Sequence, residues 1–328
     1  MSAATPPEFP ILVVDDEPNI VNALRRELAT PPVGRYRYAV EGFTDPSAAL
    51  ARARERGFAV VISDYRMPQM SGLEFLKALA ALQPDCVRIV LSGQTDMDAL
   101  IKMVNETHIY RFIPKPWTSY FLKSSLAQAI DFRQAALRNR RLADRLRAQG
   151  ISLPEEAGQV DQILVVDDDL NACHAVARDL MHKSRLDDVL AAMRADVAHA
   201  RALPFGNLQI SVQISTSPLH ALKMADSVEF SCVIADYKMP EMDGARLLEA
   251  FAEKQPDCAR ILLSGAASMD EVIAAVDLAH IYSYIPKPWN DYELRAIVAQ
   301  ALAARKLEIE NKVLASMCRA RGLDAAEE

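Results

Sequence analysis

No apolar run in this chain of 328 residues reaches the roughly 18–20 residues that span a bilayer. The sequence therefore predicts no membrane helix. Its first ten residues, MSAATPPEFP, lack the basic start and apolar core of a signal peptide, so the protein is expected to be cytoplasmic. There is no CxxC and no Cys/His ligand pattern. The five cysteines (Cys86, Cys173, Cys232, Cys258 and Cys318) are scattered and odd in number. They read as reduced, mostly buried thiols, and they argue against zinc. A basic excess is also missing: the net charge of −7 argues against a chain-wide grip on nucleic acid. What the chain does have is 51% hydrophobic residues, enough for a core in each of two ordinary domains.

Those two domains are visible as a repeat. Residues 61–72 read VISDYRMPQMSG, and residues 233–244 read VIADYKMPEMDG. ILVVDDE at 11–17 returns as ILVVDDD at 163–169, an offset of 152. Asp64 and Asp236 are offset by 172, as are Ser92 and Ser264, Lys115 and Lys287, and Trp117 and Trp289. The second copy thus carries about 20 extra residues between Asp168 and Thr216. Gly150 and Gly322 also match at 172, so the repeat includes the segment after each KPW. Copies of this size are too large for solenoid repeats and read as duplicated globular domains.

Each copy alternates between two patterns. In the first, strand-length apolar runs (FPILVV, YRYAV, AVVIS, VRIVLS, YRFIP) alternate with helix-like stretches at 18–29, 46–56, 72–82 and 96–106. Pro18 and Pro46 stand where a helix would start. Short Val/Ile/Leu strands separated by helices predict an α/β domain: a doubly wound, five-stranded parallel sheet covered on both faces. Ligands of such sheets bind beyond the carboxyl ends of the strands. Asp15 and Asp16 follow the first strand, Asp64 the third, Ser92 ends the fourth, and Lys115 follows the fifth. Asp167, Asp168, Asp236, Ser264 and Lys287 repeat the set.

Three carboxylates at one crevice repel each other and need a cation. Oxygen ligands with room for water favour Mg²⁺. A lysine and a hydroxyl on the same rim suit an incoming phosphoryl group, and one aspartate is then placed to be the nucleophile. The blander alternative is that strand-end acids only cap the following helices. A lone Asp-Asp pair would favour that alternative. The full set, found twice, favours a site.

With these residues in view, both halves resemble the receiver domains of bacterial two-component response regulators. The resemblance rests on VVDD, SDYRMP and ADYKMP, LSG, and IPKPW, in order, over nearly the whole chain. It implies flavodoxin-like receivers at 8–117 and 162–289; beyond it, the residues themselves predict a long helix after each, at 118–150 and 290–322, with a linker at 151–161. It implies that Asp64 and Asp236 are phosphoacceptors. It implies a Mg²⁺ held by Asp16 and Asp168, aided by Asp15 and Asp167, with the carbonyls of Arg66 and Lys238 completing the shell. Ser92 and Ser264 would turn toward the phosphoryl oxygens, and Lys115 and Lys287 would pair with them. The Lys-Pro bonds after Lys115 and Lys287 are expected to be cis. Phe112 and Tyr284 take the place of an aromatic switch residue. The donor would be a histidine kinase or a phosphotransfer protein. Gln94 and Ala266, two residues after each serine, predict different phosphoryl lifetimes, unless they are ordinary variable surface.

Some segments lie outside this scheme. Residues 119–149 and 291–321 contain no Gly or Pro, and Thr118 and Asn290 suit caps. Each helix would run to roughly 46 Å, longer than one sheet needs. Their distal halves are expected to enter a coiled-coil or bundle contact, and a homodimer through these helices or the insertion follows from that. Arg133, Arg138, Arg140, Arg141, Arg145 and Arg147 read as a solvated helix face, with nucleic acid the minor alternative. The insertion, about 183–208, carries an apolar stripe that suits a partner contact or a helix folded back on the same domain. The chain ends in GLDAAEE, so output is expected through protein contact, oligomer change or phosphate storage, not through an effector domain. Two rivals remain at this level: an aspartyl phosphatase, and a binding scaffold that does not depend on phosphorylation. A phosphatase would want its two acids two positions apart after the first strand, and Asp15 and Asp16 are adjacent.

Overall fold

A computed structural model describes residues 6–29, 36–93, 109–153, 160–181, 209–265 and 281–323. The expected helix at 96–106, the insertion, Gln94 and Ala266 lie outside the described residues. The chain forms two compact units, Met1–Leu137 and Arg138–Glu328.

The first unit runs β1 (Glu8–Val14), α1 (Pro18–Ala29), β2 (Arg37–Phe43), α2 (Pro46–Glu55), β3 (Val60–Asp64), α3 (Gly72–Leu82), β4 (Val87–Ser92) and β5 (Arg111–Pro114). It also holds the first part of α4 (Ser119–Ala148). The five strands pair in the order β2-β1-β3-β4-β5, all parallel. The order reverses between β1 and β3, which makes the crevice beyond their carboxyl ends the switch point. β3 is buried along its whole length, as a strand covered on both faces must be. Helix starts follow local chemistry. Asp45 caps α2 with Pro46 at the first position, and Ser71 and Glu74 form a capping box on α3.

The second unit repeats this with β6 (Asp161–Val166), α5 (Leu170–Met181), β7 (Ile210–Ser215), α6 (Pro218–Met224), β8 (Cys232–Asp236), α7 (Gly244–Lys254), β9 (Ala259–Ser264), β10 (Ser283–Pro286) and α8 (Asp291–Arg319). Its sheet order, β7-β6-β8-β9-β10, is the same topology, again all parallel. The doubly wound, five-stranded fold expected from the alternation is thus present in both halves.

Leu12, Val14, Phe75, Leu76 and Val90 belong to the first core, and Leu164, Val166, Phe251 and Leu262 to the second. All five cysteines are free and buried. Burial pushes the Cys86 and Cys258 thiols up to about 12, so both stay protonated and unreactive. Both long helices end at a glycine in the left-handed region, Gly150 at φ 71° and Gly322 at φ 66°. Beyond each glycine the chain bonds back: Ile151 N–H donates to Leu146 O, and Leu323 N–H to Cys318 O. Within the second unit the distal part of α4 packs on α8 through Leu142, Ala143 and Leu146 against Leu314, Ala315 and Cys318.

Two candidate acidic sites

Register brings the strand-end acids together. Val14 lies beside Ser63 in the β1–β3 pair, so the next residues of both strands, Asp15 and Asp64, emerge at one crevice. Asp15 is fully buried and Asp64 is 7% exposed, while Asp16 beside them is half-buried. Asp15 Oδ1 accepts the Glu17 N–H at 3.0 Å, and Asp64 Oδ2 accepts the Arg66 N–H at 3.0 Å. Lys115 enters from the end of β5 and bridges the two, with Nζ 2.7 Å from Asp15 Oδ2 and 2.8 Å from Asp64 Oδ1.

The second site repeats the geometry. Asp167 Oδ1 accepts the Asp169 N–H and Asp236 Oδ2 the Lys238 N–H, both at 2.9 Å. Lys287 Nζ lies 2.6 Å from Asp167 Oδ2 and 2.6 Å from Asp236 Oδ1. Asp168 is exposed on the rim.

Charge explains the pairing. Burial lifts the Asp15 carboxyl above its ordinary range, against the pull of the Lys115 bond and the Glu17 N–H, and the negative Asp64 adds to the rise. Burial alone would lower Lys115 and Lys287, but their bonds to the two aspartates outweigh it, and both ammonium groups are held above the usual value. In each site the three carboxylates present oxygen atoms within 4.8 Å of one another. An all-oxygen donor set of this size and charge fits Mg²⁺, and the single lysine does not neutralise it.

The loop after each third strand is tightly closed. Gly72 N–H donates to Tyr65 O and Gly244 N–H to Tyr237 O, both at 2.9 Å. A Cβ on Gly72 would lie 2.2 Å from Asp64 O, and one on Gly244 2.1 Å from Asp236 O, so glycine alone lets the next helix approach. Gln69 and Glu241, both non-glycine, hold positive φ of 69° and 70° in these loops. Arg66 and Lys238 are exposed, two residues beyond each phosphoacceptor candidate.

Ser92 ends β4 in register with Pro114. Ser264 ends β9, is 2% exposed, and accepts the Lys287 N–H on its backbone oxygen at 2.8 Å. Phe112 and Tyr284 are half-buried against their cores, and only Tyr284 has a hydroxyl to donate, to Ser264 O at 3.4 Å. The peptide bonds Lys115-Pro116 and Lys287-Pro288 are cis.

One pair of contacts escaped the reading of the sequence. Trp117 Nε1–H donates to Glu27 Oε2 at 3.1 Å, and Trp289 Nε1–H to Asp179 Oδ2 at 3.0 Å. The signal was present: Glu27 and Asp179 are related by the early offset of 152 and the tryptophans by 172. Only pairing the two offsets across the insertion would have joined them.

The response regulator receiver domain model matches residues 11–127 and 197–299. The chain belongs to the receiver-domain family of two-component response regulators. The second match begins after the segment that carries Asp167 and Asp168, and the structure returns that segment to its sheet as β6. The hydrogenase transcriptional regulatory protein HoxA of Cupriavidus necator is 39% identical over 121 residues, 37% of this chain and 24% of that protein. HoxA of Bradyrhizobium diazoefficiens is 32% identical over 158 residues, 48% of this chain and 30% of that protein. This chain therefore spans only about a quarter to a third of these regulators. FixJ, a transcriptional regulatory protein of Rhizobium meliloti, is 28% identical over 153 residues, covering 47% of this chain and 72% of FixJ. Among solved structures, the signal receiver domain of an HD domain-containing protein from Pseudomonas fluorescens Pf-5 aligns at 31% identity. It covers 42% of this chain and 95% of that one, with a TM-score of 0.37. Among the described residues no helix is long and apolar enough to cross a membrane.

Proposed function

We propose that the chain is a cytoplasmic tandem phosphoacceptor in which Asp64 and Asp236 each take a phosphoryl group from a phosphohistidine of a histidine kinase or phosphotransfer protein. The observation that carries this reading is the lysine bridge made twice: Lys115 on Asp15 and Asp64, Lys287 on Asp167 and Asp236. A carboxylate oxygen of Asp64 attacks phosphorus, the P–N bond to the imidazole breaks, and an acyl phosphate forms. Lys115 then exchanges its Asp64 contact for a phosphoryl oxygen while Asp15 keeps it aimed. Mg²⁺, when bound by Asp15, Asp16, Asp64 and the Arg66 carbonyl, or by Asp167, Asp168, Asp236 and the Lys238 carbonyl, supplies charge neutralisation for the incoming group. Ser92 and Ser264 donate the hydroxyl that marks the phosphorylated state, and Phe112 and Tyr284 follow it.

Output passes through protein contact. The arginine run of α4 is in part engaged locally, Arg133 with Asp85 O at 3.0 Å and Arg147 with Asp144 at 3.0 Å, which supports a role other than nucleic-acid binding.

The test is intact mass after incubation with Mg²⁺ and a small-molecule phosphodonor. Wild type is expected to gain two phosphoryl groups, and Asp64→Asn and Asp236→Asn one each. A single group, lost in only one variant, would leave one switch beside a structural copy. No addition at all would favour a scaffold that does not depend on phosphorylation.

A further inference from the structure

The contact between α4 and α8 is built from the same positions of both repeats. Leu142 and Leu314 are 172 residues apart in sequence, as are Ala143 and Ala315, Leu146 and Cys318, and Ile151 and Leu323, and all eight belong to one apolar cluster. The buried stripe on each helix continues one step back to Asn139 and Asn311, again 172 apart and each 2% exposed. A contact in which each partner offers the same patch is what defines an isologous, two-fold interface. Arbitrary packing of two helix ends has no reason to match four pairs of equivalent positions. The stripe 139, 142, 146 and its counterpart 311, 314, 318 step by three and four, the spacing of a coiled-coil seam. A buried asparagine in such a seam fixes register at some cost in stability.

We infer that α4 and α8 form an intrachain clasp equivalent to a homodimer interface, in which each repeat is the other's partner. The chain is in this respect a fused dimer. The distal stripes expected to recruit a second chain are already covered by the second repeat. The proximal part of α4 is tied to the first receiver by Arg111 Nη1–H donating to Ser125 Oγ at 3.1 Å and by Tyr110 against Phe132. The clasp therefore joins the helix of the first receiver to that of the second by packing as well as by the linker.

The experiment uses the full chain with a protease site placed between residues 153 and 160. After cleavage the two fragments are expected to elute and sediment together at the 36.2 kDa of the intact chain. Leu142→Asp combined with Leu314→Asp is expected to release them as separate species. Fragments of the unaltered sequence that part on cleavage would overturn the inference. A second measurement is independent of that pair of variants. Cys318, 2% exposed within this contact, should stay protected from a maleimide, read by peptide mapping, at any concentration of the unaltered chain. Ready labelling of Cys318 in the unaltered chain, or protection that fades on dilution, would overturn it equally.

Discussion

Asp15 sits where two physical demands conflict. A metal site needs a charged carboxylate, and a fully buried position penalises one. Its folded value lies above the ordinary 3.8, with burial the largest cause. A carboxyl raised in this way holds its proton more tightly in the fold than in the unfolded chain. Stability contributed by this group therefore falls as pH rises from 3.8 through the higher folded value. At pH 7 the charged form is a net burden on the metal-free fold. Asp15→Asn is predicted to raise the Tm of that fold and to weaken Mg²⁺ binding at the same time. A lower Tm would mean that the Lys115 ion pair outweighs the burial cost. The lysines behave oppositely. Lys115 and Lys287 are raised above 10.5, so their contribution is complete below that pH and fades only above it. Urea unfolding of the metal-free protein between about pH 6 and 9 should then show no step from either lysine. At this scale the sequence was informative for a definite reason. Aspartates at strand ends are placed by strand register alone, which the apolar runs encode. Which carboxylate oxygen meets the lysine, and which proton equilibrium burial shifts, depend on packing between residues 100 positions apart.

The loop from β3 into α3 shows what an element can hide from its own sequence. SDYRMPQMSG reads as a turn with a helix start, yet nothing in it announces positive φ at Gln69 or the approach of Gly72 to the Asp64 carbonyl. Gly72→Ala would drive its Cβ into backbone atoms, 2.2 Å from Asp64 O and 3.0 Å from the Tyr65 Cα, which cannot rotate away. A loss of about 2–3 kcal/mol is predicted from chemical denaturation, with slower phosphorylation of Asp64 because its strand end must shift. Gly244→Ala should do the same to Asp236 alone. A full-rate Asp64 in a destabilised Gly72→Ala protein would separate packing from positioning. A second hidden device lies at the opposite end of the same helix. Gln83 accepts the Phe58 N–H at 2.7 Å and donates to Ala53 O and Arg56 O at 2.6 and 2.7 Å, tying α3 to the α2–β3 connection. Gln255 makes the corresponding bonds to Phe230, Ala225 and Val228. Gln83→Leu leaves three backbone groups without these bonds, and a cost of about 2–3 kcal/mol is predicted. A glutamine beside a proline carries no such message in one copy. Only its recurrence at the repeat offset could have drawn attention to it. The helices and strands themselves were legible because periodicity and proline placement are local. The clasp between α4 and α8 was not, because an apolar stripe shows that a partner exists without saying which one.

Across the whole molecule the two tryptophans provide one reporter per receiver. Trp117 and Trp289 each stand two residues beyond a site lysine, and each indole is bonded to a carboxylate of the helix that follows its acid pair. An indole held against a carboxylate, two residues along the chain from a site lysine, should change its emission when Mg²⁺ or beryllofluoride alters the charge there. Trp289→Phe leaves a protein that reports the first site, and Trp117→Phe one that reports the second. Cation binding is set by the local carboxylates. Asp64→Asn is therefore predicted to abolish or strongly weaken the response of Trp117 and to move the Mg²⁺ midpoint read by Trp289 by less than about twofold, well under 1 kcal/mol. Asp236→Asn should give the mirror result. Under the proposed function, phosphorylation is expected to act on the helices as well as on the crevice. If the clasp transmits strain along α4, occupying Asp64 with beryllofluoride should shift the beryllofluoride midpoint at Asp236, and Leu142→Asp should remove that shift. Linkage requires the reciprocal effect, Asp236 on Asp64, to be equal in size. Unequal shifts would show that the titrations are not at equilibrium. Equal shifts that survive Leu142→Asp would place the coupling outside the helix pair.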